Sequence, residues 1–243
     1  MENFVETRDR PAGAAVMFQK WRHLLFLHWE VDAAEIQARL PHGLEVDVFE
    51  GKAYVGVIPF FMQDVRPAMC PPVYWLSDFL ELNVRTYVRD REGRAGVWFF
   101  SLDCSQPVAV AVARSFFKLP YFRARMRAQV GPKSRLVYYD CRRKGERGRA
   151  HYEYRASGAA ARARSGSLDE FLVERYRLFA YRNRRLFAGS VWHDPYEIAP
   201  AETVQWSARP MDLAGFDVGG LPPDHAVVSS GVDVEIFPLD LIG

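Results

Sequence analysis

The chain has 243 residues, 49% of them apolar and 14% aromatic, which is ample material for a sizeable core and excludes extended disorder away from the ends. Its formal net charge of +2 is too weak to imply a nucleic-acid partner. Three scattered cysteines (Cys70, Cys104 and Cys141) exclude a disulfide framework and a CxxC zinc site, and no apolar run approaches the roughly 20 residues that span a bilayer. The expectation is a cytoplasmic protein without membrane or nucleic-acid partners, with residues 1–20 as a loose tail and 21–243 as a single domain.

Along the chain, Asp32 with Glu35 three residues on has the layout of a capping box and predicts a short helix over 32–40, stopped by Pro41. Leu44–Phe49 reads as a strand, Glu50-Gly51-Lys52 as a tight turn and Ala53–Met62 as the partner strand of a hairpin. The prolines at 67, 71 and 72 predict a loop over Val65–Tyr74. From Leu80 to Arg89 the alternation is regular, with Leu80, Leu82, Val84, Thr86 and Val88 on one face and Glu81, Asn83, Arg85, Tyr87 and Arg89 on the other. Gly96–Leu102 is apolar on both faces and predicts a buried central strand.

The Ala- and Val-rich run Val108–Phe117 predicts a buried helix. Strands over 122–130, 135–142 and 150–156 form an antiparallel meander. Ser167 and Glu170 make a second capping box, Arg182-Asn183-Arg184 a turn between two aromatic strands, and Ala226–Phe237 a last strand after a Gly- and Pro-rich stretch. The sum is an α+β domain, mainly antiparallel β, built on a curved sheet or β-barrel with a few short helices.

The polar face Glu81, Asn83, Arg85, Tyr87 would point into the lumen if the sheet curls around it, and would otherwise be a solvated outer face. Arg123, Arg125 and Arg127 share another strand face, which reads as a solvated edge. His28, His151 and His193 are the general-base candidates, and none has a partner at metal-ligand spacing, so no metal is expected. The chain also lacks GxSxG, GxGxxG and P-loop motifs, and no cofactor is expected. Lys118, between Phe117 and Leu119, is the one lysine in an apolar context; burial there would lower its pKa towards amine chemistry, and a snorkelling helix-end lysine is the bland reading.

Several stretches carry a family resemblance: Leu24–Trp29, Leu40–Leu44, Gly51–Phe60, Phe79–Val88, Gly96–Asp103, Leu119–Phe122, Glu174-Arg175-Tyr176 and Val191–Tyr196. Over about Trp21 to Asp233 the chain resembles the bacterial DUF2071, or YqjF-like, family, which is similar in turn to acetoacetate decarboxylase. That second resemblance implies an α+β fold with an interior pocket. The decarboxylases carry a segment Arg-Glu-x-x-Gly-Tyr-Pro-Lys-Lys, whose first lysine forms the Schiff base and whose second lowers its pKa. On this chain Arg114 matches the arginine and Pro120 the proline, while the lysines fall on Tyr121 and Phe122 and Lys118 takes the place of the glycine. Glu81 matches the pocket glutamate.

The resemblance therefore implies a pocket for a small organic acid or carbonyl compound without the Schiff-base pair. Arg85, Arg114, Asn83 and His193 are its ligand-binding candidates, and Glu81, His28, Lys118 and Tyr121 its catalytic candidates. Acid–base chemistry on a keto acid, Schiff-base chemistry at Lys118, and a non-catalytic homo-oligomer are the alternatives.

Overall fold

The structure, a computed structural model, describes residues 8–243. Chain order is β1 (Met17–Val31), α1 (Ala33–Gln37), β2 (Leu44–Val46), β3 (Ala53–Pro67), β4 (Phe79–Asp90), β5 (Ala95–Cys104) and α2 (Pro107–Val112), with a π-helical turn over Ala113–Phe117. There follow β6 (Tyr121–Val130), β7 (Val137–Arg143), β8 (Ala150–Ala156), β9 (Ala161–Arg162), α3 (Leu168–Val173), β10 (Arg177–Arg182), β11 (Arg185–His193), β12 (Glu197–Gln205), α4 (Arg209–Ala214) and β13 (His225–Leu241). The expected α+β fold, mainly antiparallel with short helices, is what is found. Residues 1–7 of the expected tail lie outside the described residues, and β1 already begins at Met17, inside the segment read as tail.

All the strands join one 13-stranded sheet, and the pairing of β4 with β5 closes β4, β3, β1, β13, β11, β10 and β5 into a ring. Most pairings are antiparallel; β5 meets β10 and β6 in parallel. The segment β6–β7–β8–β12 lies against the outside of the ring and shares a core with it, in which Leu25, Leu27, Val55, Val57, Leu82 and Val84 meet Tyr139, Tyr152 and Tyr154. A second core lies inside the ring and includes Leu24, Phe26, Phe60, Tyr87 and Leu102. Residues 24, 26 and 25, 27 of β1 thus serve two different cores, as the period-2 alternation of a strand dictates.

Local chemistry accounts for the element ends. Asp32 accepts from the backbone N–H of Ala34 at 2.6 Å and caps α1. Ser167 accepts from the N–H of Glu170 and caps α3, while the Glu170 side chain reaches Gly166 N. Asn183 and Arg184 both have positive φ (53° and 61°), as the two central residues of a tight β10–β11 turn require.

Four expectations need correction. Leu44–Val46 pairs with β4 and not with β3, because only Phe49 and Lys52 bridge across the Gly51 turn. The prolines do not end β3 at Val65: it runs on to Pro67, where Met17 of β1 pairs with it, and only Pro71 and Pro72 sit in the loop. Val108–Phe117 is not a buried helix; it covers the ring with Val110 alone buried, and Val108, Val112 and Phe116 are exposed. Finally, α4 forms inside the stretch read as irregular, with Gly215 at φ 88° ending it.

Candidate functional site

Because the outer segment covers one face of β4 and the ring encloses the other, both faces of this strand are buried. Its even-numbered residues Leu82 and Val84 belong to the outer core. Its odd-numbered residues Glu81, Asn83 and Arg85 line a cavity of about 230 Å³ inside the ring, with Tyr121 at the start of β6. The walls are otherwise mostly apolar, including Phe26, Phe60, Met62, Phe99 and Leu102, and Val108 and Val112 of α2 line it where they are also exposed. All five lysines lie within the described residues, and none lines the cavity.

Glu81 is 3% exposed, and burial pushes its carboxyl up to about 7, partly offset by the Tyr121 hydroxyl, which donates to Oε2 at 2.7 Å. Burial, and then the Glu81 charge, keep the Tyr121 phenol protonated well above its ordinary value. Cys104 pairs with Glu81 across β4–β5, and burial followed by the Glu81 charge pushes its thiol up to about 12, which keeps it protonated at neutral pH. The β4 backbone at this point is fixed from the other side by Tyr139, whose hydroxyl donates to the Glu81 carbonyl at 2.7 Å.

Arg85 is 8% exposed, and its guanidinium donates to the Leu172 carbonyl at 2.9 Å and lies 5.6 Å from the rings of Phe26 and Tyr87. Its Nε has no hydrogen-bond partner, and no carboxylate lies within salt-bridge reach of it among the described residues. Asn83, between Glu81 and Arg85 on the same strand face, has a buried Oδ1 that is also without a partner. Arg175, buried beside them on the cavity wall, is held by Asp47 at 3.0 Å and by the Phe171 carbonyl at 2.9 Å. An arginine with a carboxylate beside one without leaves an uncompensated buried cation, an arrangement that favours an anionic ligand.

Four of the expected site residues lie elsewhere. His28 is fully buried but does not line the cavity; its Nε2 meets the Tyr87 hydroxyl at 2.7 Å and its Nδ1 meets His225 at 2.9 Å, whose own Nε2 reaches Asp169 at 2.8 Å. Burial, His225 and Arg85 hold its pKa well below the usual histidine range, so it is a neutral, doubly bonded core residue. His193, lowered to about 4 chiefly by burial, packs against Tyr176 and Tyr196, with Nδ1 2.8 Å from the Asp194 carbonyl.

Lys118 ends the π turn at φ 57°, its ammonium lies over the Phe187 ring, and it is not among the residues that line the cavity. Arg114 does not line the cavity either; its Nε donates to the Tyr121 carbonyl at 2.6 Å, at the start of β6. No group of three or more His, Cys, Asp or Glu that could hold a metal exists among the described residues. The aromatic strands conceal the surroundings of these histidines from sequence reasoning. Arg175, within the stretch Glu174-Arg175-Tyr176, has no assignment from sequence because its partner Asp47 is distant along the chain.

Gly56 of β3 makes room for His28: a Cβ at this position would stand 2.8 Å from His28 Cδ2. With both ring nitrogens of His28 held, the ring has nowhere to go. Gly56→Ala is expected to destabilise the protein by about 1–3 kcal/mol in urea unfolding.

The model of DUF2071, described as an uncharacterized conserved protein, matches residues 18–233. The protein named "Uncharacterized protein YqjF" of Bacillus subtilis (strain 168) is 37% identical over 193 residues, which are 79% of this chain and 78% of that one. Among solved structures, acetoacetate decarboxylase from Legionella pneumophila superposes with a TM-score of 0.64 at 14% identity, covering 99% of this chain and 94% of that one. The enduracididine biosynthesis enzyme MppR complexed with pyruvate gives 0.62 at 13% identity, covering 97% and 93%. At these identities the structural likeness establishes the fold alone. Among the described residues, no helix is long and apolar enough to cross a membrane.

Proposed function

The chain belongs to the DUF2071 family, and from that premise and the cavity's chemistry we propose that it binds a small organic acid or carbonyl compound inside the ring. The observation that carries this reading is Arg85, a guanidinium buried on the cavity wall without a carboxylate partner among the described residues. An anion there replaces the lost hydration of the guanidinium with a charge-assisted hydrogen bond. Glu81 stays largely protonated below pH 7 and offers its acid proton to a ligand oxygen, while Tyr121 keeps the carboxyl oriented. Pyruvate, with which the fold neighbour MppR is complexed, is a ligand of this kind.

Thermal-shift and calorimetric titration with pyruvate, levulinate and short fatty acids tests the proposal, with the amines and alcohols of matching carbon skeleton as controls. The acids are expected to raise Tm and the controls to leave it unchanged. Equal shifts from the amines would sink it.

A second reading rests on the position of the Glu81 pKa near neutrality, which suits a general base as well as an acid. As carboxylate, Glu81 would take a proton from the carbon beside a ligand carbonyl, leaving an enolate, and return it to the same carbon. Exchange of those carbon-bound protons in D2O, followed by NMR on levulinate, is expected to be faster with the protein than with Glu81→Gln. Equal rates would leave binding as the whole function.

A further inference from the structure

Two polar stations of the cavity lie on β4, and their separation selects a class of ligand; this inference rests on the organic-acid reading above. Glu81 and Arg85 are four residues apart on one face of β4, which places their Cα atoms about 13 Å apart along the strand. The Glu81 station lies at the α2 end of the cavity: its partner on β5 is Cys104, and the chain then passes through Gln106 into α2, whose Val108 and Val112 line the cavity. The Arg85 station lies at the α3 end, held by the Leu172 carbonyl and flanked on the lining by the buried Arg175 and Tyr196.

Between the stations the only polar side chain on that face of β4 is Asn83, and Phe26, Phe60 and Leu102 make up much of the surrounding wall. A two-oxo acid such as pyruvate carries its carboxylate and carbonyl on adjacent carbons. It can satisfy one station and leaves the other, together with most of the apolar wall, without a partner.

We infer that the pocket takes an extended oxo or hydroxy acid, with its carboxylate at Arg85, its chain along Asn83 and the apolar wall, and its second oxygen several carbons away at Glu81 and Tyr121. Each methylene laid against that wall adds to affinity, about three- to fourfold when fully buried. The distal oxygen adds specificity, because a buried carboxyl that loses its partner is penalised.

Calorimetric titration of the wild-type chain at pH 6 with pyruvate, levulinate, 7-oxooctanoate and octanoate reads this out. Levulinate and 7-oxooctanoate are expected to bind tighter than pyruvate, 7-oxooctanoate by about tenfold or more. 7-Oxooctanoate should also exceed the plain octanoate, and this preference should vanish in Glu81→Leu. Pyruvate binding as tightly as the long oxo acids, or octanoate matching 7-oxooctanoate, overturns the two-station inference and leaves organic-acid binding standing. If none of the four acids binds, both the inference and the reading beneath it fail.

Discussion

Replacing Arg85 by methionine is expected to raise the thermal stability of the free protein while abolishing its affinity for acids. An ordinary core substitution destabilises, and the opposite sign here follows from what the guanidinium lacks. Desolvating an ion costs several kcal/mol, and Arg85 recovers part of that through the Leu172 carbonyl and the faces of Phe26 and Tyr87, with no opposite charge among the described residues to complete the compensation. Removing it does not orphan the Leu172 carbonyl, since the Tyr87 hydroxyl still donates to it at 2.7 Å. Methionine fills similar space against the same two rings. The gain is expected at about 1–4 kcal/mol, or several degrees in Tm, against a loss of affinity of about a hundredfold for any acid whose carboxylate meets this group. Destabilisation by Arg85→Met, or unchanged binding, would show that the cation is already compensated inside the protein.

The same residue shows how far the sequence could be read. The alternation from Leu80 to Arg89 marks Glu81, Asn83 and Arg85 as one face, and the structure keeps them together on the cavity wall. What alternation cannot say is which face meets water. Here neither does, because β6, β7, β8 and β12 close over the even-numbered side through contacts distant in sequence. The buried-helix expectation for 108–117 fails for a related reason: an apolar run signals burial of some face, and here that burial is partial, with Val108 and Val112 lining the cavity while still exposed.

Alignment with a decarboxylase segment puts Lys118 and Arg114 at the site. In the structure neither lines the cavity: Lys118 stands at a left-handed position ending the π turn, over the Phe187 ring, and Arg114 donates to the Tyr121 carbonyl. Tyr121, standing where the resemblance puts a lysine, is the member of that segment that reaches Glu81. His28 and His193 carry the usual ambiguity of a histidine among aromatics. Each is resolved by its partners: His225 comes to His28 only through the tertiary pairing of β1 with β13, and His193 on β11 packs against Tyr176 and Tyr196.

The second large effect concerns Glu81 and pH. Its folded-state pKa, about 7, lies above the ordinary carboxyl value of 4.5, so between those values the native state holds a proton that the unfolded chain has released. Stability from this group is therefore fully present below about pH 4.5, declines as pH rises and is lost once pH passes 7, a total on the order of 3 kcal/mol. Glu81→Gln keeps an acceptor for the Tyr121 hydroxyl and removes the ionisation, so its stability should lack this decline and exceed that of the wild type above pH 7 in urea unfolding.

Binding follows the same proton. In the complex the Glu81 acid proton is donated to a ligand oxygen, so above about pH 7 complex formation must take up a proton, and affinity should fall towards tenfold per pH unit. Glutamine, neutral throughout, should bind with nearly the same affinity at about pH 6 and about pH 9. A wild-type affinity that is flat across that range would show that Glu81 gives no proton to the ligand, even if Arg85→Met had already abolished binding.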